Sequence, residues 1–271
     1  MTVRHLSCGT MCPLSRRLIN GEGSHFKAGE MVCHCLLIET REGLVLVDTG
    51  FGTHDVASPK ARLGPLRWLL QAKFQLADTA LHQLRALGYA PEDVRHIVLT
   101  HLDVDHAGGL SDFPNATVHL LQREKEAAVD APDLLARQRF RAVQWAHQPR
   151  WESYEPEGEA WHGFPCVRSL RGLPPEILLV PLHGHTRGHS CVAVHSHDGW
   201  LLHCGDAYYH RASVTPGQHP PAGIRLFQRF SAVNHPQLLA NQARLAELGT
   251  QRDVRLFCAH DPVELAALRL H

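Results

Sequence analysis

The stretch Thr100-His101-Leu102-Asp103-Val104-Asp105-His106-Ala107-Gly108-Gly109 decides the fold of this chain. It follows an apolar run, His96–Thr100, that is predicted to be a buried strand. Its four potential metal ligands are His101, Asp103, Asp105 and His106. A loop at the carboxyl end of a strand directs such side chains into one cleft, where imidazole nitrogens and carboxylate oxygens bind zinc, iron or manganese. The alternative is a polar loop with helix-capping aspartates.

Three later parts of the chain repeat the same arrangement. The predicted strands Ile177–Leu182, Leu201–Cys204 and Val254–Ala259 are each followed at once by potential ligands. These ligands are a histidine of the stretch His183–His189, then Asp206, and finally His260. Four coincidences of position are hard to produce by chance, so the sequence predicts one metal centre at the strand ends.

Composition sets limits on the partners. The 271 residues include 27 basic and 27 acidic side chains, so we expect neither nucleic acid nor a membrane as partner. No apolar run approaches the roughly 20 residues that a membrane span needs. The eight cysteines and an N-terminus without a secretory pattern predict a reduced, cytoplasmic protein. We interpret Cys33-His34-Cys35 as part of a strand rather than as a metal site, because it lies in an apolar run.

Strands in two groups, each followed by helices, predict a layered α/β architecture. The other predicted strands are Met31–Glu39, Leu44–Val47, Ala116–Leu121 and Cys191–His195, and the strand that ends at Cys204 is predicted to begin at Trp200. The predicted helices are Asp78–Leu87, Arg123–Ala131, Pro132–His147, Pro236–Leu248 and Pro262–Leu270. Gln148–Gly172 is predicted to be a loop-rich excursion near the site, or else a surface loop held by its aromatic residues. Tyr208–Phe230 is predicted to be irregular.

These segments resemble the metallo-β-lactamase superfamily, whose pattern is His-x-His-x-Asp-His followed by a distant His, Asp and His. Gly184-His185-Thr186-Arg187-Gly188-His189 resembles the family's Gly-His-Thr-x-Gly-His element, in which the first histidine is the ligand. The resemblance therefore selects His185 and places His189 behind it. Val47-Asp48-Thr49-Gly50 is similar to an early aspartate loop that supports the metals without binding them.

The resemblance implies a four-layer αβ/βα sandwich of two mixed β-sheets flanked by helices. A single domain would span residues 1–271, with inserted loop and helix segments around 54–75 and 124–172. Two divalent ions are implied: one held by His101, Asp103 and His185, the other by Asp105, His106 and His260. Asp206 would bridge them.

Within the superfamily, the chain is most similar to the N-acyl homoserine lactonases. The shared elements are the loop at Asp48, the His106-Ala107-Gly108-Gly109 run and Asp206-Ala207-Tyr208-Tyr209. In those lactonases a tyrosine three residues after the bridging aspartate faces the substrate, which implies this role for Tyr209. The expected reaction is attack of a metal-bound hydroxide, oriented by Asp105, on the carbonyl of a small ester or lactone.

One residue departs from the family pattern: Asp103 stands where the second histidine is expected. Zinc is the expected metal, with iron or manganese as alternatives because a carboxylate suits them better. The carboxylate at position 103 also resembles the flavodiiron proteins. Those proteins have a further domain that this chain is too short to hold.

Other functions and partners stay open at this point. The rival enzymes are an iron-dependent redox enzyme of the persulfide-dioxygenase type and a phosphodiesterase, and a non-catalytic binding protein is the third rival. We expect substrate choice to lie in His54–Gln75, Gln148–Gly172 and Tyr208–Phe230, whose apolar residues suit an acyl chain or a homodimer contact.

Overall fold

Apolar runs buried on both faces form the strands of two β-sheets. A computed structural model describes residues 1–158, 160–164 and 168–270, which leaves out Pro165 and Cys166 of the predicted loop excursion. The first sheet contains β1 (Thr2–Met11), β2 (Met31–Thr40), β3 (Gly43–Val47), β4 (Ala72–Lys73), β5 (Val94–Val98), β6 (Thr117–Leu121) and β7 (Arg150–Tyr154). The second contains β8 (Arg168–Ser169), β9 (Ile177–Pro181), β10 (Ser190–Ser196), β11 (Gly199–His203) and β12 (Val254–Phe257).

Both sheets mix parallel and antiparallel pairs. Among the described residues, the order of the first sheet is β4-β1-β2-β3-β5-β6-β7, and that of the second is β12-β11-β10-β9-β8. The pairs β3–β5, β5–β6, β6–β7 and β11–β12 are parallel, and the remaining pairs are antiparallel. The carboxyl ends of β5, β9, β11 and β12 carry the predicted metal-binding loops, and that of β3 carries the supporting loop at Asp48.

Helices flank the two sheets, and several of them lie at the end of the sandwich that carries the ligands. They are α1 (Arg16–Asn20), α2 (Thr53–Ala57), α3 (Pro59–Leu63), α4 (Leu66–Leu70), α5 (Ala80–Ala86), α6 (Val104–Ala107), α7 (Gln122–Lys125), α8 (Leu134–Arg139), α9 (Ala222–Ser231), α10 (His235–Leu248) and α11 (Pro262–Arg269). Short 3-10 turns lie at Leu76–Asp78, Pro91–Asp93, Leu110–Asp112, Ala142–Trp145 and Arg211–Ser213, and a π turn lies at Glu126–Asp130. Within the described residues, none of the helices is long and apolar enough to cross a membrane.

The alternation of side chains along each strand produces the layers. Leu36 and Ile38 of β2 pack between the sheets against Val192 of β10, whereas Leu37 faces the opposite way into the cluster that contains Leu84 of α5. A third cluster joins the outer face of the second sheet to α10. This arrangement confirms the predicted sandwich of two mixed sheets flanked by helices. That all 271 residues form a single domain stays a prediction.

Several elements differ from the sequence-based predictions. The strand β1 was not predicted, because Gly9, with φ +128°, accompanies a register shift between Ser7 and Thr10 that breaks the alternation. The predicted helix Pro132–His147 is wrong in extent: α8 stops at Arg139, and Phe140 turns to an extended conformation and is buried. A regular helix, α9, lies within the segment predicted to be irregular.

The described residues of Gln148–Gly172 lie away from the predicted site. Its first part is β7, the edge strand of the first sheet. Trp161 packs edge-on against Trp200, and Phe164 lies under the guanidinium of Arg244. Of the two interpretations of this segment, a surface segment held by its aromatic residues describes the structure, because these contacts are made on the second sheet and α10.

The segment 54–75, which was predicted to be an insertion, is attached to the rest of the chain through hydrogen bonds of Arg62, whose ion pair with Asp55 lies within the segment. Arg62 of α3 donates through Nε to Asp55 Oδ1 at 2.8 Å, and Asp55 is fully buried. The same guanidinium donates to Gln144 Oε1 at 2.6 Å and to the carbonyl oxygen of Gly108 at 3.2 Å. The network therefore joins the inserted segment to the loop that follows the acidic and histidine cluster.

We expect Arg62→Met to lower the free energy of unfolding by about 3–5 kcal/mol, because it leaves the buried Asp55 carboxylate without its counter-ion, with only the N–H donors of Gly52 and Gln144. The matched control is Lys60→Ala, on the same helix but exposed, with a change within about 0.5 kcal/mol. Urea unfolding of both variants, stripped of metal, measures the difference. Equal stability of the two would show that this network does not hold the segment.

Candidate metal centre

The predicted ligands meet because loops from the two sheets are hydrogen-bonded to each other. The carbonyl oxygen of Thr100, after β5, accepts the backbone N–H of Ser190 at 3.0 Å. The carbonyl oxygen of Gly205, after β11, accepts the backbone N–H of Ala259, after β12 in the same sheet, at 3.1 Å. These bonds fix the loops that carry His101, Asp206 and His260 at one end of the sandwich. The structure thus brings together all seven residues that the sequence singled out as ligands.

The seven residues form two adjacent groups. The first position consists of His101, Asp103 and His185, and the second of Asp105, His106 and His260. Asp206 lies between the positions and turns one oxygen to each. Its Oδ2 is 3.3 Å from His185 Nε2, and its Oδ1 is 2.8 Å from His260 Nε2 and 3.2 Å from His106 Nε2.

Buried atoms without hydrogen bonds mark the centre as a cation site. His101 Nε2, His106 Nε2, His260 Nε2 and Asp206 Oδ1 are buried, and none makes a hydrogen bond among the described residues, since Asp206 Oδ1 is close to two imidazoles but not at the angles of a hydrogen bond. Buried polar atoms are almost always paired, since leaving one unpaired costs about 1–3 kcal/mol. Imidazole lone pairs and carboxylate oxygens that converge at this spacing fit a divalent metal ion.

The Nδ1 atoms of these three imidazoles make hydrogen bonds on the side away from the centre. His260 Nδ1 donates to the carbonyl oxygen of Val32 at 2.7 Å, and His106 Nδ1 donates to Asp48 Oδ2 at 2.7 Å. His101 Nδ1 lies 3.0 Å from Thr100 Oγ1, whose proton goes to Asp48. A proton fixed on Nδ1 leaves the Nε2 lone pair free to face the centre.

Asp48 is the residue on which this support depends. It is buried, has φ +56°, and accepts from the Thr100 N–H and Oγ1–H at 2.8 Å each as well as from His106. Its position at the end of β3 is the one that the Val47-Asp48-Thr49-Gly50 resemblance implied. Asp48 therefore orients the loop of the first sheet without being one of the grouped ligands.

The charges in the centre are strongly coupled. Burial would raise the pKa of Asp206, but the neighbouring His260, His106 and His185 hold it well below its usual range. Burial would lower the pKa of His106, yet Asp206 and Asp105 raise it. For His101, burial and then the charge of His106 lower the pKa to about 4. The centre thus combines ionised carboxylates with an imidazole that stays neutral at pH 7.

Tyr209 and His189 occupy supporting positions around His185. The Tyr209 hydroxyl lies 3.1 Å from His185 Nδ1 and 3.3 Å from Ser231 Oγ, and its ring stacks on that of His260. His189 Nδ1 donates to the carbonyl oxygen of Leu182 at 3.0 Å, and its Nε2 accepts the N–H of Asp206 at 3.0 Å. His189 therefore links the loop of His185 to that of Asp206.

Two residues of the site were not found from the sequence. Buried Glu124 accepts the backbone N–H groups of Leu102 at 3.0 Å and Gly188 at 2.9 Å, so it joins two ligand loops. A Cβ on Gly188 would collide with the backbone of Glu124, which explains the glycine there. Arg139, at the end of α8, binds Asp103 and His185 directly. Both residues lie in predicted helices with no local pattern that signals such roles.

A cavity of about 340 Å³ opens onto the centre. Its polar lining includes Asp105, Arg139, Tyr209 and Ser231 next to the ligands. Its apolar lining consists of Met11, Leu66, Leu69, Leu70, Val104, Leu135, Phe227 and Phe230. Segments 54–75 and 208–230 thus contribute to the cavity as predicted, whereas none of the described residues of 148–172 lines it.

The fold and this centre define a class of metal-dependent hydrolases, and the sequence comparison assigns the chain to it. The sequence profile of the metallo-beta-lactamase superfamily matches residues 28–224. The chain belongs to this superfamily, which confirms the resemblance given above.

Relatives and solved structures agree with the assignment. A probable metallo-hydrolase of Mycobacterium tuberculosis is 45% identical over 262 residues, which cover 96% of this chain and 80% of the relative. An N-acyl homoserine lactonase of Bacillus thuringiensis is 26% identical over 254 residues, covering 92% and 89%. The fold resembles that of an N-acyl homoserine lactone hydrolase solved with N-hexanoyl-L-homoserine at its catalytic metal centre, with a TM-score of 0.72, 23% identity and 98% and 95% coverage.

We expect Asp48→Asn to weaken the binding of a divalent ion by about 10- to 100-fold, because His106 loses the carboxylate that fixes its Nδ1 proton. Competition with a chromophoric zinc chelator measures the affinity. Asp198→Asn, at an almost fully exposed position, serves as the control and should leave the affinity unchanged. An unchanged affinity in Asp48→Asn would contradict the role given to Asp48.

Proposed function

We propose that this chain hydrolyses a carboxylic ester, and that its substrate is a lactone with an apolar acyl chain, of the acyl homoserine lactone type. The observation that carries the proposal is that Asp206 and His260, two of the ligands with unpaired buried atoms, line an apolar cavity. The family supplies the hydrolase class, and the similarity to an N-acyl homoserine lactonase supports the lactone.

Asp105, His106 and His260 of the second position, with Asp206, would hold a divalent ion. His101, Asp103 and His185 of the first position form the other metal site that the family resemblance implies. Zinc is the proposed metal, and the carboxylate of Asp103 leaves iron and manganese as alternatives. Such ions supply a water of lowered pKa as the nucleophile and positive charge for the carbonyl oxygen.

Two side chains of the cavity would act on the substrate. Asp105 lines the cavity within 3.6 Å of His260, so its carboxylate can orient the attacking water and accept its proton. Arg139 donates to His185 Nε2, so His185 Nδ1 donates to the Tyr209 hydroxyl, whose own proton can turn from Ser231 Oγ, 3.3 Å away, to the carbonyl or leaving oxygen. These are the catalytic roles that the sequence resemblance implied.

The apolar wall would bind the acyl chain. Leu69, Leu135 and Phe230 line the cavity, yet 62%, 74% and 78% of each residue's surface is exposed. Covering such side chains with an acyl group removes apolar surface from water, which favours a substrate with a hydrocarbon chain over a small polar ester. The partner would therefore be a small molecule.

We also propose that the protein works in a reducing compartment such as the cytoplasm. Its seven described cysteines are all free thiols, and six of them are buried.

The function is tested by removing and restoring metal. We expect protein treated with a chelator to lose hydrolysis of acyl homoserine lactones and to regain it with zinc or manganese, because the nucleophile depends on the ion. Lactones of increasing acyl length should show rising kcat/KM, measured beside aryl esters, thioesters and phosphodiesters. Full activity without metal would refute the proposal. Oxygen consumption with a persulfide in place of ester hydrolysis would favour the iron-dependent redox class.

Tyr209→Phe should lower kcat by about 100-fold, because a hydrogen-bond donor to the developing oxyanion is lost. Its metal content should equal that of the wild type. The matched control is Tyr208→Phe, since the Tyr208 hydroxyl donates to Glu264 at 3.0 Å, away from the cavity. Steady-state kinetics with metal analysis distinguishes the two tyrosines. A wild-type kcat in Tyr209→Phe would remove Tyr209 from the mechanism.

A further inference from the structure

The guanidinium of Arg139 lies against the first metal position. Its Nε and Nη2 donate to the two oxygens of Asp103 at 2.6 Å each, and Nη2 also reaches His185 Nε2 at 2.6 Å. Nη1 donates to the carbonyl oxygens of Ser231 at 2.7 Å and His185 at 3.3 Å. All five N–H directions of the arginine are therefore used.

These contacts occupy the atoms that an ion in the first position would need. The lone pair of His185 Nε2 accepts an N–H, so it cannot bind a metal at the same time. Both oxygens of Asp103 are held by the bidentate pair. Only His101 Nε2 remains unpaired on this side.

At the second position the ligand atoms are free of such contacts with an arginine. The ion pairs that Asp105 and Asp206 form within the described part of the chain are all with histidines. His106 Nε2, His260 Nε2 and Asp206 Oδ1 lack a hydrogen-bond partner among the described residues. Three unpaired atoms thus face the second position, and no guanidinium competes for them there.

We propose that Arg139 is the resident cation of the first position, and that this chain holds one tightly bound divalent ion, in the second position. Asp103 and Arg139 then form a matched pair. A histidine at position 103 would give the guanidinium no counter-ion, whereas the aspartate gives it a bidentate one. The departure at Asp103 is in this view an adaptation to Arg139 rather than to iron or manganese. The inference rests on the proposed metal-dependent function, which it refines.

The test counts metal ions without turnover. Metal-free protein is loaded with excess zinc, passed through a desalting column and analysed by elemental mass spectrometry, and the same protein is titrated by calorimetry. We expect the wild type to retain one ion per chain, with any second ion bound about 100-fold more weakly. Arg139→Leu and Arg139→Gln should each retain two, because Asp103 and His185 are then free.

Paired variants of the wild-type chain locate the ion. His260→Ala should lose the retained ion, whereas His185→Ala, its counterpart in the first position, should keep it. Two ions of comparable affinity in the wild type, or one ion in both Arg139 variants, would overturn the inference. Loss of the ion in His185→Ala with retention in His260→Ala would overturn it as well. A single ion in the second position without any esterase activity would refute the proposed function and leave this inference standing.

Discussion

The structure depends on the carboxylate of Asp206, because the ligand loops of the two sheets meet at this side chain. Its oxygens lie against histidines from loops of both sheets, and the cluster is buried. Several of these atoms lack hydrogen bonds, and each costs about 1–3 kcal/mol when it is buried unpaired. Only a cation can satisfy lone pairs that converge from all sides. The packing of the two sheets against each other therefore produces a centre that is costly without a bound ion.

The residues behind the ligands explain how such a centre keeps its shape. Asp48, Thr100 and the carbonyl oxygen of Val32 fix the Nδ1 protons of three imidazoles, and Glu124 joins two ligand loops through backbone N–H groups. Asp48, Thr100 and Val32 lie at or next to strand ends, and Glu124 lies in α7 directly after β6, so the sheets set the positions of all four. The ligands are thus oriented by the rigid part of the fold, as a catalytic metal requires.

Arg139 makes the two halves of the centre unequal. It pairs with Asp103 and His185 at hydrogen-bonding distance, while the histidines of the second position face only carboxylates. A guanidinium has a fixed charge that neither dissociates nor exchanges with solution. In this centre the second position is open to an exchangeable divalent ion, whereas the guanidinium of Arg139 already occupies the first position. The apolar cavity adjoins both.

The sequence alone predicted most strand positions, six of the clustered residues and the stretch that holds the seventh, because ligands that follow apolar strands are a local pattern. The family resemblance supplied His185 and the sandwich of two sheets. Tertiary structure decided the rest. The strand β1 and the end of α8 depend on a bulge and on the burial of Phe140, which periodicity does not show. Arg139 lies 36 residues from Asp103, and only packing brings them together. Local sequence thus supplies the ligands, whereas contacts between distant segments decide which ligand atoms are free.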